Sequence, residues 1–198
     1  MYRVLSILLT LLLLASLFAC GKAEPGATTT GQPEIIEPYD IADGKTYESL
    51  AAPAQGYDEV VQRFREITQG SEGLLYAECV LYDMDGDGQP ELLVTLCPHA
   101  VAGGHWFVYT MQAGKARFVA DFSGNQAALY TCDEGGIYRV WGPTGSGGHE
   151  EVYKITKQGN TLAQTTVIAW RPIGDGDYYE PPDGAYIEAV DIAQFALD

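Results

Sequence analysis

Alternating carboxylates near the middle of the chain are the residues whose spacing best suits a chemical task. Residues 83–91 read Asp-Met-Asp-Gly-Asp-Gly-Gln-Pro-Glu, which places acids at positions 1, 3, 5 and 9 of the segment. Calcium takes six to eight oxygen ligands, and alternate Asp side chains on a tightly turning backbone can converge on one ion. The two glycines permit such a turn because they tolerate positive φ. The segment therefore predicts a calcium loop with ligands from Asp83, Asp85, Asp87, the backbone carbonyl of Gln89, and Glu91.

An acidic, solvated turn without an ion is the alternative for this segment. Four carboxylates within nine residues repel one another, and a bound cation is the usual compensation. The expected role of the ion is structural, since it would hold the turn between two strands. Direct bridging of a ligand by calcium is a further, less favoured interpretation.

The loop resembles two known types of calcium site. It is similar to the EF-hand at its start, but position 12 is Val94 rather than Glu, and a strand-like segment follows. It looks more like the loop of FG-GAP and VCBS-type repeats, in which Asp-x-Asp/Asn-Gly-Asp-Gly-x-x-Asp/Glu links two β-strands. The whole layout resembles small uncharacterised Gram-positive surface lipoproteins with one such loop. This resemblance implies a calcium site and a cell-surface location, and it implies no activity.

The N-terminus has the features of a targeting segment. Arg3 is followed by an almost unbroken apolar run over residues 4–18, which is shorter than a bilayer span. The sequence Leu-Phe-Ala-Cys-Gly around Cys20 resembles the lipobox of bacterial lipoproteins. That resemblance implies a signal peptide over residues 1–19, a diacylglycerol on Cys20, and attachment to the extracytoplasmic face of the cell membrane. A plain signal peptide or an uncleaved anchor remains the alternative.

Composition predicts a single acidic domain behind a linker. Residues 20–56 are rich in Ala, Thr, Pro, Gly and Glu and have no sustained periodicity, so we expect a flexible linker there and one calcium-binding domain over residues 57–198. The formal net charge of −16 argues against nucleic acid and against adsorption to anionic lipid, because both require clustered cations.

Apolar periodicity predicts an α+β domain in which antiparallel β-structure dominates. Val60, Val61, Phe64 and Ile67 form one face of a helix over residues 57–69. The remainder is expected to form short strands separated by Gly-rich turns, as a meander or a sandwich with the helix packed on it. The second strand is apolar on both faces, which indicates a central position. The expected strands are 74–82, 91–97, 106–111, 116–122, 127–131, 137–141, 151–156 and 162–170, and residues 186–197 are open to a strand or a short helix.

Three further groups of side chains are weaker candidates. Cys79, Cys97 and Cys132 are expected to be buried apolar residues, and a Cys79–Cys97 disulfide stays open. His149-Glu150-Glu151 could bind metal or move protons, although neighbouring strand residues point to opposite faces. His99 and His105 could form a zinc site. A carbohydrate-stacking surface is the last candidate, and its aromatic residues would be Trp141, Trp170, Tyr178 and Tyr179.

Together these features favour a non-enzymatic, membrane-tethered binding or envelope-associated module with an unknown protein or glycan partner. The alternative is an extracytoplasmic hydrolase acting on cell-wall or glycan material, with Glu150, Glu151 or His149 as acid or base. A purely structural envelope protein is a third possibility.

Overall fold

Two antiparallel five-stranded sheets form the frame of the domain. The computed structural model describes residues 34–35, 44–98, 104–124, 127–141, 149–172, 181 and 184–197. The helices are α1 (Gly44–Ala51) and α2 (Tyr57–Gly70). The strands are β1 (Glu34–Ile35), β2 (Leu75–Tyr82), β3 (Glu91–Pro98), β4 (His105–Gln112), β5 (Lys115–Ser123), β6 (Ala128–Thr131), β7 (Ile137–Trp141), β8 (His149–Gln158), β9 (Thr161–Pro172) and β10 (Val190–Asp191).

Each sheet is a meander with one extra strand at its edge. Sheet A has the order β1-β9-β8-β7-β6, and sheet B has the order β10-β2-β3-β4-β5. Consecutive strands are neighbours because short turns join them. The predicted fold class, α+β with antiparallel strands dominant, is confirmed. Within the described residues two helices, rather than the single expected one, accompany the sheets.

The core has two parts, one on each face of sheet B. Leu92 and Val94 of β3 point towards α1 and α2, and Phe64 of α2 packs among them. Leu93 points the other way and packs against Ile137 and Ile155 of sheet A. The order of layers is therefore helices, sheet B, sheet A. This arrangement explains why β3 is apolar on both faces, as the sequence predicts for a central strand.

The folded region begins earlier in the chain than the predicted boundary at residue 57. Leu50 of α1 is 1% exposed and Ala54 is 2% exposed, and Ala54 forms two backbone hydrogen bonds with Ala116 of β5. Upstream, β1 pairs with β9. The assignment of residues 44–56 to a flexible linker is therefore wrong. It failed because α1 is short and carries few large apolar residues, so its periodicity is weak.

The C-terminal segment packs along both sheets. β10 pairs with β2, and Tyr186 forms a bridge to Tyr130 of β6. Arg65 of α2 donates hydrogen bonds to the carbonyls of Ile192 and Phe195. The segment thus extends sheet B and connects it to α2. No helix in the described part of the chain is long and apolar enough to cross a membrane.

Candidate metal centre

The carboxylate loop connects β2 to β3, where the sequence predicts a turn between strands. Tyr82 and Glu91 are paired across the hairpin, so residues 83–90 form the loop itself. Gly86 and Gly88 have φ values of 73° and 83°, a region that a side chain would strain. Met84 is buried in the inter-sheet core, and its carbonyl accepts a hydrogen bond from the backbone N–H of Gly136 at 2.6 Å. The loop is therefore attached to sheet A through its second residue.

Backbone amides organise the acidic side chains of the loop. Asp83 accepts hydrogen bonds from the N–H of Gly86 at 2.8 Å and from the N–H of Gly88 at 2.9 Å, one on each carboxylate oxygen. Asp87 accepts one from the N–H of Gln89 at 2.7 Å. Each carboxylate oxygen has two lone pairs, so these bonds leave acceptor capacity for a cation.

Three of the predicted ligands converge. Carboxylate oxygens of Asp83, Asp85 and Glu91 lie within 4.8 Å of one another. Asp87 is not in this group and is exposed, and Gln89 is exposed as well. Oxygen donors at this spacing suit a hard divalent cation such as calcium. The predicted set is therefore brought together in part.

Glu91 is the buried member of the group. It is 1% exposed, and its carboxylate accepts hydrogen bonds from the N–H of Met84 at 2.9 Å and from the hydroxyl of Thr110 at 3.1 Å. A buried carboxylate requires partners of this kind, because an unpaired one is costly. Glu91 thus joins the loop to β4 as well as to β3.

Lys157 of β8 supplies a positive charge to the same carboxylates. Its ammonium lies 2.5 Å from Asp85 and 3.0 Å from Glu91, with 6% of its side chain exposed. Burial alone would lower the pKa of Lys157, but the hydrogen bonds and charges of Asp85 and Glu91 outweigh it and raise that pKa. Lys157 lies in the segment that the sequence assigns to a turn, and no local pattern links it to an acid 72 residues away.

The His149-Glu150-Glu151 segment divides between the two faces of sheet A, as alternation predicts. Glu150 is fully buried and accepts a hydrogen bond from Arg171 at 2.5 Å. His149 and Glu151 share the other face, with 3.6 Å between imidazole Nε2 and carboxylate Oε1. Burial and pairing remove Glu150 from the candidates for acid or base, whereas His149 and Glu151 remain candidates.

The other weak candidates have mixed outcomes. Cys79, Cys97 and Cys132 are free thiols, so the Cys79–Cys97 disulfide is not formed. Burial raises the pKa of Cys79 to about 12, which makes this thiol unreactive at neutral pH. His105 is buried against Asp121 at 2.9 Å and belongs to the core. The described residues do not include Cys20, His99, Tyr178, Tyr179 or the side chain of Trp170.

Comparison with protein-family models, curated proteins and solved structures gave no match.

Proposed function

We propose that this chain is a membrane-tethered extracytoplasmic lipoprotein with a calcium site between β2 and β3, acting as a binding or envelope-associated module. The observation that carries the calcium proposal is the convergence of carboxylates from Asp83, Asp85 and Glu91 within 4.8 Å. The ion would have a structural role, because the loop joins two core strands of sheet B and is bonded through Met84 to sheet A.

Calcium would compete with Lys157 for this position. The ammonium already lies against Asp85 and Glu91, so a divalent ion must displace it to gain both carboxylates. Extracellular calcium sites have dissociation constants of roughly 10⁻⁴ to 10⁻³ M, and the competition favours the weak end of this range. Such a site is filled outside the cell, where calcium is abundant.

A thermal melt of the full chain in detergent tests the calcium proposal. At about 20 mM calcium and a dissociation constant of about 10⁻³ M, mass action stabilises the folded state by about 1.8 kcal/mol. That corresponds to a melting shift of roughly 5–7 °C. Asp85→Asn should remove most of the shift, whereas Glu48→Gln, which neutralises an exposed acid on α1, should retain it. Equal melting of the wild type in calcium, in magnesium and in chelator would refute the calcium site.

The lipoprotein proposal rests on the apolar segment and Cys20 and has its own test. Metabolic labelling with a fatty acid should mark the wild-type chain in the membrane fraction. Cys20→Ala should lose the label and either appear in the medium or accumulate as precursor. Wild-type protein that is soluble and starts at a residue other than Cys20 would contradict the lipid anchor.

A hydrolase acting on cell-wall or glycan material is the second candidate, and the pairing of His149 with Glu151 on one face of sheet A favours it. At 3.6 Å the two groups lie just beyond direct hydrogen-bond reach, and catalytic contacts of this kind tighten when a substrate binds. Release of reducing ends from cell-wall polysaccharide by the wild type, and its loss in Glu151→Gln, would support this activity. No release above buffer would exclude hydrolysis of that substrate.

A further inference from the structure

Five side chains form a polar and aromatic cluster on β7 and β8. Arg139 lies opposite Tyr153, and Trp141 lies opposite Glu151, in the register of the two strands. Directly opposed residues share a face of the sheet, and this is the face that carries Ile137 and Ile155 towards sheet B. The fifth member, His149, completes what we call the Arg139 cluster: Arg139, Trp141, His149, Glu151 and Tyr153.

Contacts connect the members of the Arg139 cluster in a chain. The hydroxyl of Tyr153 donates a hydrogen bond to Glu151 at 2.9 Å, and the other oxygen of Glu151 lies 3.6 Å from His149. The imidazole meets the Trp141 ring edge-on, with 5.1 Å between centroids. The guanidinium carbon of Arg139 lies 5.3 Å from the centroid of the Tyr153 ring, within the range of a cation–π contact.

Arg139 is the anomalous member of the cluster. Its Nε atom is buried without a hydrogen-bond partner, and no carboxylate of the described residues lies within 4.0 Å of its guanidinium. Burial lowers the pKa of Arg139, and the charges of Tyr153 and Glu151 only partly offset this effect. Charges that are largely removed from water are usually paired, and the half-buried guanidinium of Arg139 has no carboxylate partner among the described residues.

Three other arginines of the described residues each have a carboxylate or carbonyl partner, although the Nε atom of Arg171 is also buried without a hydrogen bond. Arg63 bonds to Glu59 and to backbone carbonyls, Arg65 bonds to two carbonyls, and Arg171 bonds to Glu150. In the described part of the chain, Arg139 alone combines substantial burial with the lack of such a partner. A structural role would have supplied one, as it did for the other three.

We propose that the Arg139 cluster binds an acidic sugar through its carboxylate. The planar guanidinium matches a carboxylate in two parallel hydrogen bonds. Glu151 would accept a hydrogen bond from a sugar hydroxyl and would repel a dianionic phosphate. The rings of Trp141 and Tyr153 offer apolar surface to the sugar ring. This proposal rests on the proposed binding role and names the ligand class for it.

The net charge of the protein limits the size of the ligand. At −16, the chain repels an extended polyanion such as a nucleic acid or a fully acidic polysaccharide. An isolated acidic residue within a neutral glycan, or a short acidic saccharide, meets much less repulsion. We therefore expect weak binding of single uronic acid units.

Paired ligands that differ in one carboxylate test this assignment. Ligand-observed NMR on the full chain in detergent should detect methyl glucuronide or methyl galacturonide, and should give a response at least tenfold weaker with the matching neutral glycosides and with inorganic phosphate. Arg139→Met should abolish uronide binding. Arg117→Gln, which removes an exposed arginine of β5, should leave it unchanged. Equal response to acidic and neutral sugars, binding of neither uronide, or uronide binding retained in Arg139→Met would overturn the proposal.

A melting measurement tests Arg139 without any ligand. If the guanidinium is kept for binding, Arg139→Met should melt at or above the wild-type temperature, because it removes a half-buried charge that has no carboxylate partner among the described residues. A clear fall in melting temperature would show that Arg139 supports the fold and would overturn the proposal. Neither readout depends on calcium or on Cys20, so failure here leaves the calcium and lipid-anchor tests untouched.

Discussion

Replacing Lys157 with Met is the perturbation that most directly examines the carboxylate loop. Met keeps the length of the aliphatic stem and removes the charge that lies 2.5 Å from Asp85 and 3.0 Å from Glu91. In chelator, Glu91 would then be a buried carboxylate without its cation, since only 1% of it is exposed. Asp85 is partly exposed to solvent, so water reduces the free energy that is lost when the ammonium no longer pairs with it.

The expected cost follows from the burial of both partners. Removing one partner of a buried ion pair costs about 3–5 kcal/mol, and we take about 3 kcal/mol because Asp85 is partly exposed. At roughly 3–4 °C per kcal/mol for a domain of this size, the Lys157→Met protein should melt about 10 °C below the wild type in chelator. Calcium should reverse most of this loss, because the ion supplies the missing positive charge.

Calcium affinity should change in the opposite direction from stability. The wild-type ammonium must leave Asp85 and Glu91 before an ion can bind both, and Lys157→Met removes that competition. Relief of about 1.4–2.8 kcal/mol corresponds to a dissociation constant ten- to a hundredfold lower. Isothermal titration calorimetry of the two proteins measures this ratio, and differential scanning calorimetry in calcium and in chelator measures the melting shifts.

Lys154→Met is the matched control. Lys154 lies on the same strand and pairs with Glu134, whose side chain is 81% exposed, so its loss should cost at most about 1 kcal/mol and should leave calcium affinity unchanged. Lys157→Met melting within about 2 °C of the wild type in chelator would refute the stabilising role of the ammonium. Equal calcium affinity in the wild type and in Lys157→Met would refute the idea that calcium and the ammonium compete for the same carboxylates. If Lys157→Met melts below the wild type in chelator, and calcium raises the melting temperature of neither protein, then Lys157 is the cation of the loop and calcium is excluded.

Two other outcomes follow from the fold. A chain that begins at Tyr57 should unfold at a distinctly lower denaturant concentration than one that begins at Gly21, because it lacks Leu50 and burial of one leucine contributes about 2–5 kcal/mol; equal transitions would show that α1 adds no stability. Alkaline pH should also destabilise the protein through Tyr57, whose pKa is raised to about 12, first by burial and then by the charge of Glu91. The folded state holds this proton more tightly than the unfolded state, so stability is intact below pH about 10 and falls as pH rises towards 12. Tyr57→Phe should flatten this part of the pH profile of unfolding free energy, whereas Tyr186→Phe, which alters an exposed ring, should not.

Local sequence patterns account for most of the strands. Alternation and turn residues place β7 at Ile137–Trp141 without error, and they place most of the other strands to within two residues at each end. The sequence signals for these strands are local, because a Gly-rich turn and a period of two are both visible within ten residues. The apolar run Leu92–Val94 also indicates a central strand, because both of its faces are covered.

The short elements α1, β1 and β10 could not be predicted from local patterns. Leu50 is the fully buried large side chain of helix α1, and Tyr47 packs partly buried beside the same core. Two such residues within one turn produce too weak a periodic signal. β1 and β10 are two residues long each, and they exist because a longer strand offers them an edge. Such elements depend on tertiary contacts, which a linear pattern does not encode.

The carboxylate loop shows the same division between local and distant information. The sequence predicts that Asp83, Asp85 and Glu91 converge, because a calcium loop of the expected type would draw its ligands from one short segment. Clustered acids require a metal only where no other cation reaches them, and Lys157 of sheet A lies against Asp85 and Glu91. Its side chain is almost fully buried, so it is a fixed component of the loop rather than a passing surface contact. The physical question for this loop is therefore a comparison between an ammonium already in place and an ion that must displace it. Because the ammonium pairs with Asp85 and Glu91 but not with Asp83, calcium gains one further carboxylate, and that difference decides whether the ion binds at extracellular concentrations.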